Sequence, residues 1–148
     1  MSLSDPSVGT EMDAQANCPF CAIVTGHAQA RVVTADDRCL AFLAATPAAR
    51  GHTLVIPRRH VADLWDTDAD LAAALMRTTH AVAALLRARL RPDGLTLRQN
   101  TGPASGQHVA HLHVHLVPRW QGDGTIGWPH PPATQPDPDA VLAELRGD

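Results

Sequence analysis

One stretch of the chain decides its fold, His111-Leu-His-Val-His-Leu-Val117. Polar and apolar residues alternate strictly in it, and this alternation predicts a β-strand with one polar and one apolar face. The three imidazoles share the polar face, whereas Leu112, Val114 and Leu116 are expected to be buried on the other. At about 3.3 Å per residue, the outer two histidines lie about 13 Å apart, too far to bind one metal without distortion. We therefore expect the three histidines to have different roles.

The rest of the chain predicts further strands and two helices. Apolar residues recur with a helical period from Asp68 to Leu90, and Pro92 and Gly94 end this one long helix. A short amphipathic helix is predicted at Asp139–Leu145. Runs bounded by turn formers predict the strands Arg31–Thr34, Cys39–Leu43, Thr53–Pro57 and Leu95–Asn100. The predicted fold class is α+β, an antiparallel β-sheet of about five strands packed with one long helix and short terminal helices.

Length and composition limit the function classes. The 148 residues suffice for one domain. Residues 1–16 lack apolar periodicity and predict a flexible N-terminal tail, so residues 17–148 are expected to form a single domain with a Pro- and Gly-rich C-terminal segment. The net charge of −3 argues against binding to a nucleic acid polymer. Without a membrane-length apolar run or a secretory signal, the sequence predicts a soluble, cytoplasmic protein that contacts no membrane.

The cysteines fall into two kinds. Cys18 and Cys21 stand in Cys18-Pro-Phe-Cys21, a spacing that suits a metal site or a redox pair better than a structural disulfide. Cys39 lies in an apolar run, where a small buried side chain is expected.

Three interpretations of the histidine strand follow from the residues. The imidazoles are incidental to a polar face, or His113 and His115 chelate a catalytic metal, although the sequence offers no obvious third ligand. In the third interpretation, a neutral imidazole attacks phosphorus and forms a phosphoramidate that water later cleaves. That chemistry needs phosphate-binding groups, and the backbone N–H groups of Gly102, Gly106 and Gln107 can turn towards an anion.

Two blocks of the sequence resemble a known family. Asn100-Thr-Gly-Pro-Ala-Ser-Gly-Gln-His-Val-Ala-His-Leu-His-Val-His-Leu-Val-Pro-Arg119 is similar to the signature of the histidine triad (HIT) family, and Gly51-His-Thr-Leu-Val-Ile-Pro-Arg-Arg-His60 resembles its conserved strand block. With the two cysteines near the N-terminus, the similarity covers about residues 17 to 128. It implies a homodimer in which each subunit contributes an antiparallel sheet and a helix, with two separate nucleotide sites.

The resemblance also implies a reaction. His113 is expected to be the nucleophile that attacks the α-phosphorus of a nucleotide conjugate, which is a phosphoramidate, a nucleotidylated small molecule or a dinucleoside polyphosphate. A nucleotidyl-histidine intermediate then undergoes hydrolysis or transfer and releases a nucleoside monophosphate. The backbone carbonyl of His111 is expected to orient the nucleophile, while His115 and His52 line the phosphate site. The rival hypothesis is a non-catalytic regulatory protein that binds nucleotide or zinc.

The resemblance also implies substrate contacts outside the histidines, and at two of these positions the chain departs from the family pattern. Asn100 and Gln107 are expected to hold phosphate oxygens or to support the nucleophile, with Gly106 beside them in the same loop. His108 stands where relatives often have Ser or Thr, and we expect it either to contact the leaving group or to point outwards. The family usually binds the ribose hydroxyls through an acidic residue at the position of Ala44, and a methyl group cannot accept those hydrogen bonds.

The resemblance further implies a structural zinc ion. Four residues match the zinc ligands of the metal-containing branch of the family, namely Cys18, Cys21, His60 and His111. Two thiolates and two imidazoles make a closed tetrahedral set with no open position, as a structural site requires. Such a site would tie the N-terminal segment to the sheet.

Overall fold

The computed structural model describes residues 16–124, 127–129, 132 and 134–148. The predicted flexible tail lies outside this part of the chain except for Ala16, and the Pro- and Gly-rich segment is described only in part. Among the described residues, no helix combines the length and the apolar character needed to cross a membrane.

The described strands form one antiparallel sheet in the order β1-β2-β3-β5-β4. The elements, in chain order, are α1 (Pro19–Val24), β1 (Val32–Ala35), β2 (Cys39–Leu43), β3 (Thr53–Pro57), α2 (Ala69–Leu90), β4 (Gly94–Arg98), β5 (Val114–Arg119) and α3 (Pro138–Arg146). The predicted α+β class, with five strands, one long helix and short terminal helices, is confirmed.

Local signals at both ends of the long helix explain its bounds. The Asp68 side chain accepts a hydrogen bond from the backbone N–H of Leu71 at 2.7 Å and so caps the first turn of α2. At the other end, Arg91 adopts the left-handed conformation with φ of 54°, and Pro92 follows. The buried face of α2 lies against the sheet through Leu71, Leu75, Val82, Leu86 and Leu90.

The sheet is covered on both faces, and this explains why β2 and β3 are apolar at successive positions. One face packs against α2 and α3 through residues such as Val55 and Leu116. The other face carries Leu54 and Ile56, which cluster with Phe20 of α1. His115 pairs directly with Leu54 across β3 and β5, so its side chain lies on the α1 face.

The predicted strand at the histidines begins later than expected. We predicted a strand from His111 to Val117, but β5 starts only at Val114. The backbone N–H of Leu112 donates instead to the carbonyl of Val61, at 2.8 Å, in the turn after β3. Because this turn holds the segment before β5, His111 and His113 precede the ladder. The predicted burial is confirmed, since Leu112, Val114 and Leu116 are all buried.

A tight turn leads into β3. Gly51 has a φ of +84°, and a Cβ atom at this position would stand 2.4 Å from Cδ1 of Leu90 and 3.2 Å from Cγ of Pro118. Both the backbone conformation and the close approach of α2 and β5 therefore require glycine here. The next residue, His52, is 4 % exposed and faces His115 of β5.

Candidate active site and metal centre

The short helix α1 positions two thiols. Cys18 is the N-cap residue of α1, and its Sγ accepts a hydrogen bond from the backbone N–H of Cys21 at 3.4 Å. Pro19 occupies the first helical position, where its missing N–H is not needed. Both sulfur atoms thereby face His60, which follows β3, and His111, which precedes β5.

These four residues form a compact cluster of possible metal ligands. Their donor atoms all lie within 4.8 Å of one another. Nδ1 of His111 is 3.4 Å from Sγ of Cys18, 3.5 Å from Sγ of Cys21 and 3.2 Å from Nδ1 of His60. Tetrahedral coordination at ordinary zinc distances requires nitrogen–nitrogen separations of about 3.4 Å and nitrogen–sulfur separations of about 3.6 Å. The cluster therefore fits a tetrahedral metal ion.

The protonation of the cluster agrees with this fit. Nε2–H of His111 donates to the carbonyl of Pro57 at 2.8 Å, which leaves the lone pair on Nδ1, the atom that faces the thiols. Burial, together with the adjacent Cys18, raises the pKa of Cys21 to about 12. The thiol therefore keeps its proton in the absence of a cation, and a bound divalent ion would displace it.

The hydrogen bonding of His113 leaves one ring nitrogen, Nε2, with a free lone pair. Its Nδ1–H donates to the backbone carbonyl of His111 at 2.7 Å, so the lone pair lies on Nε2. The ring is 7 % exposed and packs edge-on against Phe20, with ring centroids 5.2 Å apart. Burial is the main cause that lowers the pKa of His113 from its usual value. The imidazole is therefore neutral at pH 7, and its Nε2 can act as a nucleophile or a ligand.

His52 and His115 form a relay that begins at the backbone. The N–H of Ala48 donates to Nδ1 of His52 at 3.0 Å, so the proton of this ring lies on Nε2. Nε2–H then donates to Nδ1 of His115 at 2.9 Å, which leaves His115 with its proton on Nε2. A single amide thus fixes the tautomers of both rings, and His115 becomes a hydrogen-bond donor beside His113, at a ring distance of 5.0 Å.

Burial keeps this relay neutral. It lowers the pKa of His52 to about 4. Burial, followed by the charges of His113, His52 and Arg98, lowers the pKa of His115 to about 3. Both rings therefore remain uncharged at neutral pH and act through directed hydrogen bonds.

Two aromatic residues border the histidines. Trp128 meets the rings of His52 and His115 edge-on, at centroid distances of 5.5 and 5.4 Å. Phe20 contacts His113 on the other side of the site and packs against Phe42 at 5.6 Å. Sequence reasoning gave Phe20 no role, although its place between the two thiols of Cys18-Pro-Phe-Cys21 was the available signal.

The loop between β4 and β5 is held by its own polar groups. We predicted a strand through Asn100, but β4 ends at Arg98, and Nδ2 of Asn100 donates to the carbonyl of Ser105 inside the loop. Oε1 of Gln107 accepts from the N–H of Gly102 at 2.7 Å. Nε2 of Gln107 donates to the carbonyl of Ala62 at 2.7 Å. The loop is thereby fastened to the turn after β3.

The predicted phosphate-binding amides donate within this loop. The N–H of Gly106 bonds to the carbonyl of Pro103 at 3.0 Å, and that of Gln107 bonds to the carbonyl of Gly102 at 3.4 Å. The N–H of Gly102 is bound to the Gln107 side chain. A phosphate role for these groups stays a prediction, and it requires the loop to exchange hydrogen bonds when a substrate arrives.

His108 and Ala44, the two positions that differ from the family pattern, both lie near the histidines. His108 is exposed, and its charge is one of the causes that lower the pKa of His113, after burial. Ala44 is half-buried and packs against the apolar cluster of the α1 face, while its backbone N–H donates to the carbonyl of His52 at 2.9 Å. As expected from its methyl side chain, residue 44 offers no side-chain acceptor to ribose hydroxyls.

Fold and site together define a class of protein, an α+β sheet protein with hydrogen-bonded histidines on one face and a Cys₂His₂ cluster beside them. The chain belongs to the histidine triad family, since the HIT domain family matches residues 25–122. The predicted resemblance is confirmed.

Three known proteins illustrate the similarity. A zinc-bound histidine triad family protein from Mycobacterium smegmatis is 36% identical, with a TM-score of 0.81 over 90% of this chain and 93% of that one. A hypothetical histidine triad nucleotide-binding protein from Sulfolobus tokodaii is 30% identical, with a TM-score of 0.78 over 88% and 90%. The adenylylsulfatase HINT3 of Arabidopsis thaliana is 31% identical over 83% of this chain and 66% of its own length.

Proposed function

We propose that this protein is a nucleotidyl hydrolase or transferase that cleaves at the α-phosphate of a nucleotide conjugate. One observation carries the proposal, namely the complementary protonation of two neighbouring rings. His113 presents a lone pair on Nε2, whereas His115 presents a proton on Nε2. A nucleophile and a hydrogen-bond donor side by side are what attack on a phosphoryl group requires. The adenylylsulfatase among the relatives supports a nucleotide conjugate as substrate.

In the first step of this mechanism, Nε2 of His113 attacks the α-phosphorus. The nitrogen–phosphorus bond forms as the bond to the leaving group breaks, and the leaving group takes the electron pair. The ring of His113 becomes positively charged, and the carbonyl of His111 stabilises this charge through Nδ1–H. Nε2–H of His115 donates to the leaving group or to a phosphate oxygen. In the second step, water attacks phosphorus, the bond to Nε2 of His113 breaks, and a nucleoside monophosphate leaves; when another acceptor attacks instead, the product is that acceptor carrying the nucleotidyl group.

The tautomers argue against a catalytic metal at His113 and His115. A metal bridging the two rings needs a lone pair on each of the nitrogens that face it. Nδ1 of His115 already accepts a hydrogen bond from His52, so the remaining nitrogen carries a proton. A metal at this place would require both rings of the relay to change tautomer and would break the hydrogen bond from Ala48.

We also propose that the Cys₂His₂ cluster holds a structural zinc ion. The donor types and their separations fit tetrahedral zinc, and a relative of known structure is zinc-bound. The ion would join α1 to the turn after β3 and to the segment before β5. It would thereby fix the carbonyl of His111 that accepts the hydrogen bond from Nδ1–H of His113.

A homodimer is the proposed assembly. Strand β4 is an edge of the sheet, and Leu97 on it is 45% exposed. A groove of about 780 Å³ with several small side chains lies between β4 and α2. Pairing with a second copy would cover the open edge and this groove. Leu97→Asp should therefore give monomers in sedimentation experiments, whereas Leu64→Asp at another exposed leucine should not. A dimer that survives Leu97→Asp would contradict this interface.

The decisive experiment removes the nucleophile. His113→Ala should lower turnover of adenosine 5′-phosphoramidate, adenylyl sulfate and diadenosine polyphosphates at least about 10³-fold. Far-ultraviolet circular dichroism and metal content should stay unchanged. His27→Ala is the matched control, because this imidazole is exposed and bonds to Thr25 at 2.8 Å, away from the relay. Equal turnover by wild type and His113→Ala would refute the mechanism.

The rival function, binding without catalysis, rests on Ala44. Without an acidic side chain at this position, nucleotide affinity can persist while the alignment for attack is lost. Calorimetric titration with nucleoside monophosphates, run beside the turnover assay, separates the two functions. Binding without turnover across the three substrate classes would establish the rival.

A further inference from the structure

An arginine stands at the rim of the histidine site. Arg98, the last residue of β4, is the direct partner of His115 across β4 and β5. Directly opposed residues in an antiparallel pair project their side chains to the same face, with Cβ atoms about 5 Å apart. The guanidinium carbon lies 4.6 Å from the ring centroid of Trp128. Because Trp128 contacts both His52 and His115, it connects Arg98 to the relay.

No carboxylate among the described residues neutralises the charge of this arginine. Other arginines pair with carboxylates, namely Arg31, Arg38, Arg50, Arg59 and Arg119. The guanidinium of Arg98 instead stacks on the face of Trp128. A guanidinium that stacks on an indole keeps its N–H donors available for an anion.

The site therefore has two chemically different ends. At one end, Phe20 packs against His113, and Phe42 lies behind it. At the other end stand His115, Trp128 and Arg98. A nucleotide conjugate also has two different ends, because an apolar base lies on one side of the α-phosphate and a second group lies on the other. The positive end fits a second group that carries negative charge.

We propose that Arg98 binds an oxyanion of the substrate beyond the α-phosphate. The site then favours conjugates whose second half is a phosphate or a sulfate over phosphoramidates of uncharged amines. In such an anhydride, attack by His113 forms the nitrogen–phosphorus bond and breaks the phosphorus–oxygen bond, and the electron pair leaves with the anion that Arg98 holds. This inference rests on the proposed function and specifies its substrate class.

A binding experiment tests Arg98 without relying on turnover. ADP carries a second phosphate that AMP lacks, so wild type should bind ADP about tenfold more tightly than AMP in calorimetry. Arg98→Gln should remove this preference, and Arg98→Lys should keep part of it. Arg89→Gln, at an exposed arginine in the last turn of α2, is the matched control and should bind as wild type. The pair GMP and GDP is measured in the same way.

Two results would overturn the inference. An unchanged ratio of ADP to AMP affinity in Arg98→Gln would show that the guanidinium does not hold the second phosphate. An equal loss of affinity for both nucleotides would show that Arg98 only positions Trp128. Sedimentation of each variant checks that the change leaves the oligomeric state intact, because Arg98 lies on the edge strand.

Turnover separates this inference from the function on which it rests. Arg98→Gln should lower kcat/KM for adenylyl sulfate about tenfold more than for adenosine 5′-phosphoramidate. If His113→Ala loses both activities while Arg98→Gln affects the two substrates equally, the function stands and the inference fails. If His113→Ala keeps both activities, the mechanism fails, and the ADP and AMP titrations still decide the role of Arg98.

Discussion

A methyl group added at Gly51 should damage both the fold and the site. Alanine in the left-handed conformation found here costs about 1–2 kcal/mol. Its Cβ would stand 2.4 Å from Cδ1 of Leu90 and 3.2 Å from Cγ of Pro118, so the buried Leu90 side chain must move within packed surroundings. Overpacking of this kind costs about 1–3 kcal/mol. Gly51→Ala should therefore lower the free energy of unfolding by about 2–5 kcal/mol, and the shift should also disturb His52.

Gly26→Ala isolates the packing contribution. Gly26 has a nearly equal φ of +80°, but nothing lies within 4 Å of a Cβ atom there. Denaturant unfolding of both variants should show a loss of about 1–2 kcal/mol for Gly26→Ala and a clearly larger loss for Gly51→Ala. Equal losses in the two variants would refute the argument that contact with Leu90 matters.

Two further predictions concern protons and metal. Because the folded-state pKa values of His52 and His115 lie at about 4 and 3, below about 6.5 in the unfolded chain, acidification from pH 7 to 5 protonates only the unfolded state. Unfolding free energy should fall by up to about 2 kcal/mol per histidine, and His52→Phe should show a smaller fall in denaturant titrations at the two pH values. For the metal, Cys21→Ser should remove zinc in elemental analysis and lower Tm, while the folded fraction keeps more activity than His113→Ala. Chelators that stop turnover without lowering Tm would contradict a structural ion.

The fold could be predicted where the sequence has a regular polar and apolar periodicity. The helical period, with Pro92 and Gly94 after it, gave the bounds of α2 to within one residue. The alternation at the histidines gave the correct faces but not the start of β5, because residues just before a ladder can alternate in the same way. The late start of β5 at Val114 goes with a hydrogen bond from the backbone N–H of Leu112 to the carbonyl of Val61, and a contact across 51 positions leaves no local signal.

The residue types of the site could be predicted, but their partners could not. Nothing in the sequence shows that the amide of Gln107 is occupied by backbone groups of its own loop and of residue 62. The tautomers of His52 and His115 depend on the backbone N–H of Ala48, which has no side-chain signature. Trp128 contacts His52 from a Pro- and Gly-rich segment. This segment has no helical or strand periodicity, so its course could not be predicted from the sequence.

His111 serves two neighbours through different atoms. Its ring faces the thiols through Nδ1, whereas its main-chain carbonyl accepts a hydrogen bond from Nδ1–H of His113. Every amino acid has that carbonyl, so a substitution at position 111 can remove a ligand of the proposed ion without removing the acceptor. The proposed metal site and the orientation of the His113 ring are therefore separable by mutation, provided that apolar packing takes over the anchoring of α1.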